Sequence, residues 1–118
     1  MPSSSHQFVE AGKRTVSLLQ ELERVVPQEH QLLVRDARRA FQSAMRTMNE
    51  STSAHYNVEI SQSHIDQAVL YVQGVLFRVE TPQAHKVGGE IIETLEGTIR
   101  QCVRDHVAGN IEGELYGK

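Results

Sequence analysis

The sequence predicts an all-α fold, a four-helix bundle built from two αα-hairpins. Three observations predict it. Apolar residues recur at spacings of three and four along four separate stretches. Proline stands at two of the boundaries, Pro27 and Pro82, each placed for the first turn of a new helix, where its missing N–H is not needed. Two connections are very short, which favours antiparallel neighbours. A chain of 118 residues with 39% hydrophobic residues builds one core. Residues 1–118 are therefore expected to form a single helical domain, with 1–4 frayed and 111–118 a mobile tail.

The first helix is expected over about 5–26. Phe8, Ala11, Thr15, Leu18, Leu22 and Val25 make its stripe, with Val9, Val16, Leu19 and Val26 in a second row beside it. Ser4 and Gln7 have the spacing of a capping box. After Pro27 a second helix is expected over about 28–49, on Leu33, Ala37, Ala40, Phe41, Ala44 and Met48, with Val34 and Met45 flanking. Its end falls in Asn49-Glu50-Ser51-Thr52-Ser53, residues that compete with helical hydrogen bonds.

Residues 51–62 are expected to be the longest connection, with a short extended piece in Tyr56-Asn57-Val58-Glu59-Ile60. Ser61 or Ser63 then caps the third helix. Its stripe is Ile65, Ala68, Val69, Val72, Val75, Leu76 and Val79, while Leu70, Tyr71 and Phe77 lie off it. A helix apolar over most of its circumference belongs at the centre of a bundle or in a contact with another chain. Thr81-Pro82 opens the fourth helix, expected over about 82–108 on Val87, Ile91, Leu95, Ile99, Cys102, Val103 and His106, with Gly109-Asn110 as its stop. The alternative architecture is two long helices, kinked rather than reversed at Pro27 and Pro82, whose core a partner chain completes.

Composition narrows the chemistry. A net charge of −3 disfavours a dedicated nucleic-acid or anionic-membrane binder. The single cysteine, Cys102, leaves no intrachain disulfide and no Cys-rich zinc site. No basic segment followed by an apolar run marks a signal peptide, and no apolar run approaches the ~20 residues of a membrane span. A soluble, cytoplasmic protein without membrane contact is expected.

Candidate catalytic residues are few. Arg100-Gln101-Cys102-Val103-Arg104-Asp105-His106 places an arginine six residues before a histidine late in a small helical chain. This resembles the motif of the HEPN family. The resemblance implies a metal-independent ribonuclease acting as a dimer, with Arg100 and His106 polarising the scissile phosphate. Nine Arg and six His supply such spacings by chance, and Arg24 with His30 is another. His106 also fits a core or C-terminal capping histidine. His85-Lys86-Val87-Gly88-Gly89 is similar to the His-x-x-Lys-Gly of histidine phosphotransfer domains, but Gly88 stands where the family's lysine would hold a phosphoryl group. No Glu-x-x-His and no helical His pair offers a metal site, and no cofactor is expected.

The function expected is therefore protein–protein interaction, as a small adaptor, chaperone-like or accessory subunit. The partner is a second copy or another protein. Leu70, Tyr71 and Phe77 are candidate contact residues because one core does not need them. Arg35, Arg39 and Arg46 share one face with Gln42, a candidate surface for an acidic partner or a nucleic-acid backbone. Glu90, Glu93 and Glu96 of the fourth helix are candidate counter-charges for those arginines, within or between chains.

Overall fold

The computed structural model describes residues 4–49 and 54–104. Four helices carry them: α1 (Ser4–Val25), α2 (Gln31–Asn49), α3 (Ala54–Arg78) and α4 (Pro82–Thr94). A 3-10 turn, Gln28–His30, leads into α2. A π-helical turn, Leu95–Ile99, follows α4, and the helix resumes over 100–104. Among the described residues there is no strand, and no helix is long and apolar enough to cross a membrane. The expected ends of the chain, His106 and the Gly109-Asn110 stop lie outside the described residues.

Pro82 stands in the first turn of a helix as the sequence predicts, whereas Pro27 stands one position before a turn, at its N-cap. Pro27 precedes the 3-10 turn, and its carbonyl accepts from the His30 N–H at 2.9 Å. Helix α2 thus starts three residues later than expected, after a tighter turn. Thr81 stands at the N-cap of α4 with Pro82 behind it, but its side chain makes no cap bond. The Thr81 carbonyl instead accepts from the His85 N–H at 3.1 Å.

The 51–62 connection is corrected. Helix α3 already runs from Ala54, so Tyr56 to Ile60 are helical rather than extended, and neither Ser61 nor Ser63 is a cap. Ser61 is fully buried and its hydroxyl donates across to the Ala44 carbonyl of α2 at 3.3 Å. A helix-poor residue is tolerated inside a helix when its hydroxyl finds such an acceptor. Thr15 is satisfied likewise, donating to the Ala11 carbonyl at 2.8 Å while fully buried.

Contacts run from α1 to α2 and α4, and from α3 to α2 and α4, the neighbour pattern of a helix bundle. The most extensive contact is that of α2 with α3. Small buried residues explain it: Ala37, Ala40 and Ala44 on α2, Ser61 and Ala68 on α3. The core gathers Leu19, Leu22, Phe41, Ile65, Val72, Val75, Ile91, Leu95 and Ile99, each at most 1% exposed. The two rows expected for the first helix merge: Leu19 of α1 and Val26 just past its end are buried, while Val16, Leu18 and Val25 pack half-buried against the core. In α3, Leu76 is half-buried rather than central, lying over Gly88 of α4.

The π turn has a cause in the sequence. Val87, Ile91, Leu95, Ile99 and Val103 are all buried, at four successive spacings of four. A helix turning about 100° per residue drifts some 40° with each such step. Inserting one extra residue in a wider turn resets the stripe toward the core.

Candidate interaction surfaces

Arg100 of the HEPN-like motif is bound up in structure. Its guanidinium donates to Glu96 at 2.8 Å and to Gln62 and Asp66 of α3. Burial disfavours its charge, but the hydrogen bonds and fields of Glu96 and Asp66 outweigh this and raise its pKa above the ordinary guanidinium value. On the alkaline side, stability from this group is lost only as pH rises through that raised value. Arg100 thus ties α3 to the helix after the π turn. His106 lies outside the described residues.

His85 of the phosphotransfer-like segment lies in the first turn of α4. Its Nε2 lies 2.6 Å from the Val79 carbonyl at the end of α3, joining that end to the start of α4. Cys102 is buried, as its stripe position predicts. Among the described residues, no three His, Cys, Asp or Glu gather as metal ligands.

The arginine face of α2 meets acids, but not those of α4. Arg35 and Arg38 approach Glu23 of α1 at 3.3 and 3.6 Å, and Arg39 approaches Asp36 at 3.8 Å. Glu90 faces Arg14, and Glu96 holds Arg100. Within the chain, the expected pairing of α2 arginines with α4 glutamates therefore does not form. Helical geometry explains this, because Arg35, Arg39 and Arg46 point opposite to the buried Val34, Ala37, Phe41 and Ala44. Arg46 and Lys13 have no ion pair or hydrogen bond among the described residues.

The three apolar candidates on α3 divide. Leu70 is 65% and Phe77 89% exposed. They are seven residues apart, two turns along one outer face. Tyr71 packs half-buried against the core and is not part of that exposed pair. Gly74 lies between them, its carbonyl accepting from Arg78 at 3.1 Å. Leu32 is a further exposed apolar residue, on the arginine face of α2.

Grooves flank α1 on both sides. One, of about 910 Å³, lies against α4 and its π turn and is lined by Gln7, Glu10, Ala11, Arg14, Thr94, Gly97, Thr98, Gln101 and Cys102. The other, of about 850 Å³, lies against α2, between Val9, Gly12, Lys13, Val16, Ser17 and Phe41, Gln42, Met45, Arg46. The second groove was not evident from the sequence motifs, although its signal is present. The second row of α1, Val9 and Val16, and the flank of α2, Met45, border one seam, with Gly12 opening the space between. Searches against protein-family models, curated proteins and solved structures give no match to this chain.

Proposed function

We propose that this chain is a helical protein-interaction module that works in the cytoplasm and assembles through the outer face of α3. The observation that carries the reading is the exposed pair Leu70 and Phe77. Burying side chains of this size against a partner contributes about 1.5–3 kcal/mol each. Adjacent exposed apolar residues therefore mark a contact surface. A closed two-fold dimer uses the patch twice, once from each copy.

The scaffold we infer for it is two αα-hairpins reversed at Pro27 and Pro82. Gly12 of α1 abutting Phe41 and Met45 of α2 supports the first reversal. Leu76 of α3 over Gly88, and Asp66 of α3 on Arg100, support the second. A merely kinked pair of long helices would carry Gly12 away from Met45.

Sedimentation equilibrium at micromolar concentration tests the assembly. The expected result is a dimer of the 13.3 kDa chain that becomes monomeric in the Leu70→Glu/Phe77→Glu variant. Both side chains are exposed, so the variant is expected to keep its helical circular dichroism. A wild-type monomer throughout the range would overturn the homodimer.

A further inference from the structure

We propose that the groove between α1 and α2 seats an amphipathic helix of a partner protein, one whose apolar face is flanked by acidic residues. The inference rests on reading the chain as an interaction module, but it uses a second surface.

The floor is apolar and adaptable. Phe41 is fully buried beneath it, and Met45 lies across Gly12, where an added Cβ would stand 2.6 Å from the Met45 methyl. Glycine in a helix interior costs about 1 kcal/mol against alanine, so Gly12 gives up helix stability to let Met45 lie flat. Methionine is unbranched and polarizable and repacks readily around a bound side chain. Val9 and Val16 edge the groove seven residues apart, about 10.5 Å. That is the distance between positions i and i+7 of a guest helix, the anchor spacing of helix-in-groove recognition.

The rim sets the charge. Lys13 and Arg46 are the charged residues lining the groove, one on each wall, both exposed and unpaired among the described residues. The other flank of α1 differs. There Arg14 faces Glu90 at 3.9 Å, and Glu10 shares the lining. Two cations with no acid between them favour carboxylates on both flanks of the guest. The groove is open to solvent, with Val9 48% exposed at its edge. A small apolar ligand would remain partly in water there, whereas small-molecule pockets enclose most of their ligand. A helix brings its own second surface and closes the groove.

Fluorescence anisotropy on the full chain tests this. The probe is a labelled peptide of about 15 residues with Leu at i, i+3, i+4 and i+7 and Glu on both flanks. Its control carries Lys in place of each Glu. Saturable binding of the Glu peptide is expected, with the Lys peptide weaker by about tenfold or more. The Lys13→Glu/Arg46→Glu variant should reverse that preference, and both positions are exposed, so its fold is expected to be retained. The Leu70→Glu/Phe77→Glu variant should bind the Glu peptide as wild type does. A wild-type chain that is monomeric yet binds the peptide upholds the groove and removes the α3 dimer. Equal binding of the two peptides, no saturation below about 100 μM, or an unreversed preference would overturn the proposal. So would release of monomers from a dimer by the peptide, which would give the groove to a second copy.

Discussion

Gly88 and Gly89 are neighbours in α4 with opposite surroundings. A Cβ at Gly88 would meet Cδ2, Cδ1 and Cγ of Leu76 at 2.6, 3.0 and 3.0 Å. A branch point pressed from three atoms cannot swing aside as a chain end does. A Cβ at Gly89 meets nothing within 4 Å. Gly89→Ala is therefore expected to stabilise by up to about 1 kcal/mol, through helix propensity. Gly88→Ala is expected to destabilise by about 1–3 kcal/mol through overpacking. Urea unfolding of the two variants checks this, and equal shifts would refute it. Exposure at this scale was partly legible in the sequence. Leu70 and Phe77 lie opposite the buried stripe and could be placed by period alone. Tyr71 sits one position round, at the edge where α3 meets a neighbouring helix, so its cover depends on a helix the period cannot locate.

The π turn makes a prediction at the scale of an element. Deleting Gly97, which is exposed and has nothing near its Cβ, removes the inserted residue. The buried spacings in the fourth helix then become four, four, three, four, which an unbroken α-helix satisfies. The deletion variant is expected to fold with unchanged or greater stability, having also lost an interior glycine. Thermal unfolding followed by circular dichroism is the check; a drop of more than about 8 °C would show that the wide turn does something a regular helix cannot. The run of four-residue spacings was visible in the sequence, and its accumulated drift was the signal for the wide turn. The start of α3 was not visible. Asn57 and Ser61 have low intrinsic helix propensity, and propensity yields to packing once Ser61 lies buried against α2.

For the molecule as a whole, the apolar periods were enough to predict four helices. They were not enough to say which pair makes the most extensive contact. That follows from side-chain size in three dimensions, the alanines of α2 against Ser61 and Ala68. The apolar surplus noticed in the sequence is divided three ways. Leu19 and Val26 thicken the core, Val9 and Val16 edge a groove, and Leu70 and Phe77 face solvent. Sedimentation and peptide binding therefore probe separate parts of the same surplus, and one can fail without the other.

The extensive seam between α2 and α3 has a consequence for how fast and in what order the chain folds. Residues 50–53 are all that separate the two helices, so bringing them together closes a short loop at little entropic cost. The contact of α1 with α4 closes a loop of at least the 56 residues, 26–81, that lie between them. The α2–α3 pair is therefore expected to form the nucleus in the transition state, with α1 docking afterwards. In stopped-flow refolding, Ala44→Gly and Ser61→Ala should act mainly by slowing folding, whereas Leu19→Ala should act mainly by accelerating unfolding. The opposite partition would place the nucleus in α1. If the order holds, the groove beside α1 is the last surface to be completed on folding and the first to open, which gives a guest helix there a moment of entry that the α3 face does not offer.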